Sequence, residues 1–146
     1  MKNIYSNIYK PTNNNLTKAK IIVDKGGVVA VPTETVYGLA ANAYNNKAIQ
    51  KIYSLKRRPS RNPLIVHFKN IESIKKEAVI NKNFLKLVKK FSPGPLTYIL
   101  KKKKISKISK LANKGLDTIA VRIPKEKNII KLLSILKYPL AAPSAN

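Results

Sequence analysis

The chain has 146 residues, 30 Lys and Arg against 6 Asp and Glu, a formal net charge of +24, and no cysteine. That length fits one domain around one core, and the lack of cysteine excludes a disulfide framework and any thiolate metal site. The charge admits nucleotides, nucleic acids and acidic surfaces as partners. Lys supplies 26 of the cations, and Lys, Ile and Asn together make 59 residues, a skew that codon bias also produces. The four arginines are therefore more informative than the total: Arg57, Arg58 and Arg61 crowd together and Arg122 stands apart.

Residues 1–15, "MKNIYSNIYKPTNNN", form a polar lead without the apolar centre of a signal peptide. No later stretch reaches bilayer length, so a soluble cytoplasmic protein with no membrane partner is expected. From residue 16 to 146 one α/β domain is predicted. "LTKAKIIVDKGG" places Leu16, Ala19, Ile22 and Val23 on one helical face, with two glycines to end the helix. "VVAVP" is a short apolar run, read as a buried strand. Ala48, Ile49, Ile52 and Tyr53 give the stripe of a second helix, which should stop near Arg58 because a residue before proline is pushed out of the helical region. "LIVHF" follows as a strand. Phe84, Leu85, Leu87, Val88 and Phe91 mark a third helix, capped by Asn83 and closed by "SPGP". Strands at "LTYIL" and "TIAVRI", an apolar helix around "IIKLLSIL" and a last strand at "PLAA" complete the alternation. Helices packed on a sheet follow from that order.

The inventory of reactive groups is narrow. One histidine and six acids, Asp24, Glu34, Glu72, Glu77, Asp117 and Glu126, support neither a Ser-His-Asp arrangement nor a paired-carboxylate hydrolase nor an all-protein metal cage. Between Glu34 and Glu72 lie Lys47, Lys51, Lys56, Arg57, Arg58, Arg61 and Lys69 and no acid. One or two cations at a helix C-terminus merely complement the dipole. Four within "KRRPSR", stiffened by Pro59 and Pro63, read as a preorganised phosphate site, since forked guanidinium groups match phosphate oxygens.

Five segments, "VPTETVYGLAANA", "KRRPSRNPLIVHF", "FSPGPLTYIL", "TIAVRIP" and "PLAAPSAN", resemble in order and spacing the motifs of the YrdC/Sua5 family. The resemblance implies a twisted mixed sheet with helices packed on it and a concave basic cavity. It implies an L-threonylcarbamoyladenylate synthase, a nucleotidyltransferase that joins L-threonine, bicarbonate and ATP with Mg2+, releases pyrophosphate, and serves the threonylcarbamoyl modification of tRNA adenosine 37. Threonylcarbamoyl-transfer proteins would accept the product, and tRNA or double-stranded RNA is a further partner. The KxR and SxN signature falls on Lys56 and Arg58, then Ser144 and Asn146. By resemblance Lys56 and Arg58 are catalytic, and Lys56, Arg58, Asn62, Thr118, Ser144 and Asn146 bind ATP. Thr35, His67, Arg122 and the backbone at Ala142 surround threonine. Physics agrees, because an arginine fork meets an α-carboxylate well and hydroxyl and imidazole groups suit a polar amino-acid head. Magnesium would ride on the ATP phosphates, there being no carboxylate cluster to hold it.

Each position also has a plain structural reading. His67 at the end of an apolar strand is ordinarily a hydrogen-bonded core histidine. Thr33 and Thr35 after Pro32 serve as turn residues, Tyr37 packs, and "PSAN" is a common turn. "KKKKISKISK" is read as a solvated surface segment. Family members continue beyond the point matching Asn146 with a small-residue loop and further strands, so a domain incomplete at its C-terminus is expected, with a strand edge left open. Two other functions compete: a basic tRNA or double-stranded RNA-binding module, which the scarcity of stacking aromatics disfavours, and an inactive truncated remnant of the family.

Overall fold

A computed structural model describes residues 7–57 and 62–145. Arg58 and Arg61 of the cation cluster, and Asn146 of the terminal motif, lie outside the described residues.

Helix α1 (Asn13–Asp24) begins three residues before the predicted Leu16, because the Thr12 side chain caps it by accepting from the Asn15 N–H. Its end needs a residue in the left-handed region, which Gly26 supplies at φ 75°. Leu16, Ala19 and Val23 face the core as expected, but Ile22 is half exposed and folds over Gly27 instead. The chain continues through β1 (Val29–Val31) and β2 (Gly38–Asn42) into α2 (Asn46–Lys56), capped by Asn45. Helix α2 stops two residues short of Arg58, and Arg57 takes up the left-handed turn at φ 46°. After β3 (Ile65–His67) comes α3 (Ile71–Glu77), held at its start by a reciprocal Asn70–Ser73 capping box. In α4 (Lys82–Phe91) the cap is Asn81 rather than Asn83. Asn81 stands three residues before Phe84 and accepts its N–H at 2.8 Å, the spacing an N-cap side chain spans. Strands β4 (Tyr98–Lys101) and β5 (Thr118–Arg122), helix α5 (Lys127–Ile135) and β6 (Leu140–Ala141) follow, close to their predicted positions.

The six strands form one mixed sheet in the order β1-β2-β6-β3-β5-β4, with β3 and β5 parallel and all other pairs antiparallel. On one face Ala41, Val66, Val121, Ile119 and Leu100 pack with Ile49 and Ile52 of α2, Ile74 of α3, and Phe84 and Val88 of α4. The other face is covered only in part. Val31, Ala40, Leu140 and Ala142 pack against Val23 of α1 and Ile129, Leu132 and Leu133 of α5, which lies over the β1-β2-β6 half. On the β3-β5-β4 half the same face carries Ala120, opposite Ile65 on one side and Ile99 on the other. Ile99 is 66% exposed there, so among the described residues no helix roofs this half.

The lysine-rich segment is solvated at Lys101, Lys104, Lys107 and Lys110, as expected, and anchored at residues between them. Ile108 and Ser109 are buried, and the segment is tied down by Glu77, itself only 3% exposed. The Glu77 carboxylate accepts from Tyr44 Oη (2.5 Å), Ser106 Oγ (2.6 Å) and the Lys107 N–H (2.8 Å). Burial first, and then that neighbouring carboxylate, push the Tyr44 hydroxyl well above the ordinary tyrosine range, so it stays a proton donor.

Candidate functional site

The unroofed half-face has two chemically distinct ends, both set by strand register. At the end where β3 and β5 finish, His67 pairs in register with Arg122. Extending the β4–β5 register by one residue sets Thr97 opposite Arg122 on the other side. The Arg122 guanidinium donates to Thr97 Oγ1 from Nε (3.1 Å) and from Nη2 (2.9 Å). Its Nη1 lies 3.7 Å from Oε1 of Glu34, a residue of the β1–β2 connection, and both side chains are about 13–14% exposed. Glu34 Oε2 is held by the Lys125 N–H at 3.0 Å, so the carboxylate is anchored on one oxygen only. Thr33 organises the loop around it: its hydroxyl donates to the Val36 carbonyl (2.5 Å), accepts from the N–H groups of Thr35 and Val36, and lies 3.1 Å from Thr35 Oγ1.

Among the described residues, four buried side-chain polar atoms have no hydrogen-bond partner, and three of them belong here: Glu34 Oε1, His67 Nδ1 and His67 Nε2. A buried polar group left unpaired costs about 1–3 kcal/mol, so a cluster of them beside one arginine marks a place made for something else to bind. His67 is thus buried, as its strand position suggests, yet lacks the hydrogen bonds that the ordinary core reading requires. Burial first, and the Arg122 charge second, push its pKa down to about 3. The imidazole is neutral at any pH near 7.

That depression has a stability consequence. The folded pKa lies below the unfolded value of about 6.5, so the unfolded chain binds the proton first. The contribution is fully present above about pH 6.5 and is lost as pH falls towards 3, by about 1 kcal/mol per pH unit. Urea unfolding followed from pH 7 to pH 4 is expected to show a shallower loss of stability in His67→Leu than in the parent chain. Parallel curves would contradict a buried neutral His67.

At the opposite end Lys56 meets Ser144, Thr118 begins β5, and exposed Asn62 accepts the Tyr53 hydroxyl on its carbonyl. Thr118 starts β5, four residues from Arg122 along an extended strand, so the two ends are about 13 Å apart. Lys56, the last residue of α2, donates from Nζ to the carbonyl of Ser144, 88 residues away. Ser144 also bridges to Gly38, the Leu39 N–H donates to the Pro143 carbonyl at 2.9 Å, and the Ala145 N–H donates to the Tyr37 carbonyl at 2.6 Å. Gly38 lets the strands come close here, since a Cβ would stand a tight 3.2 Å from the Ala142 Cβ. Tyr37 does not pack as the plain reading had it and is 63% exposed. The Ala142 N–H is committed to the Ile65 carbonyl at 3.0 Å.

Lys56 and Ser144 are therefore brought together, as are His67 and Arg122, with Thr35 in the loop that links the two groups through Thr33, Gly38 and Ala142. Sequence reasoning missed Glu34 and Thr97 as members of the site. No local signal points to either, since the partner of both is Arg122, far along the chain. A surface groove of about 500 Å³, lined by Ile71, Val88, Pro93, Ile123 and Ile130 with Lys69, Glu72 and Lys89 also on its walls, holds none of these residues.

Fold and site together define an α/β protein whose half-open sheet face carries an arginine-centred polar cluster and, a strand's length away, a cationic junction. The family model described as telomere recombination, Sua5/YciO/YrdC, matches residues 21–146, and the chain belongs to that family. It is 44% identical over 127 residues to a threonylcarbamoyl-AMP synthase of Pyrococcus abyssi, covering 85% of this chain and 36% of that one. It is 42% identical over 132 residues to the Bacillus subtilis protein of the same name, covering 90% and 38%. The chain thus spans little more than a third of the length of these curated relatives. The crystal structure of P. abyssi Sua5 complexed with L-threonine superimposes with a TM-score of 0.88 at 40% identity, over 92% of this chain and 39% of that one. E. coli YciO, at 24% identity and TM-score 0.81, shares the fold. Among the described residues no helix is long and apolar enough to cross a membrane.

Proposed function

We propose that this chain carries the substrate face of a threonylcarbamoyl-AMP synthase, a nucleotidyltransferase that uses L-threonine, bicarbonate and ATP. The observation that carries the reading is the unsatisfied cluster of Glu34 Oε1 and both His67 nitrogens around Arg122. A compact zwitterion with a side-chain hydroxyl satisfies all of them: carboxylate on the guanidinium, polar head on imidazole, carboxylate and the Thr35 hydroxyl. The likeness to a relative that holds L-threonine supports the same choice.

ATP belongs at the other end, with Lys56, Asn62, Thr118, Ser144, Arg58 and Asn146 assigned to it by motif and the Lys56–Ser144 contact as the support for that assignment. The side chains there are a cation, an amide and two hydroxyls, and among the described residues no group of three or more acids or histidines could hold a metal. Mg2+ therefore arrives on the nucleotide's phosphates. Bicarbonate takes up a proton and loses water to give carbon dioxide, and the free threonine amine adds to that carbon to form a carbamate, the N–C bond forming as the nitrogen gives up a proton. A carbamate oxygen then attacks the α-phosphorus in line, and the bond to pyrophosphate breaks. The protein's share is to place two anions that repel each other and to balance charge on the leaving group, which needs cations and fixed dipoles rather than a nucleophile. The product supplies the modification of tRNA adenosine 37.

The test is pyrophosphate release from ATP by the purified chain. Release is expected only when threonine and bicarbonate are both present. Release indifferent to threonine overturns the reading.

A further inference from the structure

The Arg122 guanidinium has two edges on which a carboxylate could sit in a forked pair: the side edge, Nε with Nη2, and the end edge, Nη1 with Nη2. Thr97 Oγ1 occupies the side edge, accepting from Nε and Nη2 at 3.1 and 2.9 Å. Five N–H groups are available on a guanidinium and Thr97 takes two, leaving the pair on Nη1 and the second on Nη2. Glu34 draws Nη1 towards itself without hydrogen-bonding it, since 3.7 Å is too long. The flat group is thus held on its side edge by a hydroxyl, while Nη1 and the second Nη2 hydrogen make no hydrogen bond to Thr97 and Glu34 stands 3.7 Å from Nη1.

We infer that Thr97 is a positioning residue that, by occupying the side edge of Arg122, leaves the end edge for the α-carboxylate of the amino-acid substrate. The inference rests on the functional reading above and adds which edge binds and what fixes it. Thr97 is suited to this by the backbone around it. The Gly94 N–H is bonded to the Ile123 carbonyl at 2.9 Å, which ties the "SPGP" turn to the end of β5 and fixes Thr97 across from Arg122. The "SPGP" stretch, structural in itself, thereby places a functional hydroxyl three residues after its glycine. A freely rotating arginine would lose side-chain entropy on meeting its ligand, whereas one already held loses little.

The experiment compares the parent chain with Thr97→Val, which keeps the shape and deletes the acceptor, and Thr97→Ser, which keeps the hydroxyl. Calorimetric titration with L-threonine, with L-threonine amide and with ATP gives the binding arms. Nitrogen-15 spectra of the unliganded protein report exchange of the Arg122 Nε proton. Thr97→Val is expected to weaken threonine about tenfold or more, to leave ATP and the amide within about twofold, and to lose the slowly exchanging Nε signal. Thr97→Ser restores both. Unchanged threonine affinity in Thr97→Val, or equal losses for threonine and its amide, overturns the inference. An Nε signal indifferent to Thr97→Val does so whatever the ligand results. A parent chain that binds no threonine, with the Nε signal still dependent on Thr97, instead sinks the amino-acid reading and leaves the clamp standing.

Discussion

Arg122→Ala is expected to lower threonine-dependent pyrophosphate release by at least about a hundredfold, with the loss concentrated in the response to threonine rather than to ATP. Truncating one member of a buried charge pair typically costs about 2–5 kcal/mol, and about 3 kcal/mol corresponds to two decades in affinity. Two penalties combine here. The carboxylate ligand loses its counter-charge, and Glu34, only 14% exposed, is left with the Lys125 N–H as its remaining support. A general collapse of the fold would also reduce release, so the measurement pairs initial rates over a threonine series with ATP affinity and a thermal melt. Unchanged ATP affinity beside lost threonine response fits the proposed geometry. A variant whose threonine response matches the parent would mean that Arg122 does not face the amino acid. Arg122→Lys is expected to fail nearly as badly, because an ammonium cannot donate to Thr97 in the plane and to a carboxylate on the end edge together.

Much of this architecture is legible in the sequence where the local pattern and the tertiary context agree. The stripe in α2, the apolar runs of β3 and β5 and the chain reversal at Ser92–Gly94 all lie where residue spacing puts them. The failures have physical causes. Strand β2, "GLAAN", combines glycine and alanine, which carry little strand propensity, and is a strand because its backbone pairs with β1 on one side and β6 on the other. Helix α3 has seven residues, too few for a periodic stripe, and is legible only through its Asn70–Ser73 cap. In α4 two asparagines stood two positions apart, and the choice between them depended on which could reach the Phe84 N–H.

The site is half legible for a similar reason. Lys56, His67, Arg122 and Ser144 sit in segments whose composition or motif drew notice. Glu34 and Thr97 acquire their roles only through contacts that span 88 and 25 residues to Arg122, and no local pattern encodes those. The lysine-rich segment is solvated along most of its length, as its charge suggests, and what its pattern hides is the anchor. Its charge marks the exposed lysines, but Glu77 gathers a tyrosine from one place and a serine hydroxyl and a backbone N–H from the segment itself, and Ile108 and Ser109 are buried beside them. In so basic a chain each acid is scarce, and Glu34 and Glu77 are both spent on buried junctions.

At the other end of the face, Lys56→Met is expected to reduce pyrophosphate release by about a hundredfold through ATP, with threonine affinity changed by no more than about threefold. The substitution keeps the length and most of the apolar stem of the side chain, so helix α2 should persist. What disappears is the ammonium that both ties α2 to the Ser144 carbonyl and supplies positive charge where a triphosphate is proposed to lie. A hydrogen bond to a charged group contributes about 1.5–3 kcal/mol, and loss of its charge from a phosphate contact compounds the effect on the reacting complex. The salt dependence separates the two roles. If Lys56 neutralises phosphate, the parent's ATP affinity should fall with added salt more steeply than the variant's, because one fewer cation is screened. If Lys56 merely fastens the 142–145 segment, the two slopes should agree, and threonine binding should weaken alongside ATP because Ala142 and the Thr33–Thr35 loop share that segment's contacts. Equal slopes with both ligands weakened would remove Lys56 from the nucleotide site and recast it as a strut between α2 and β6.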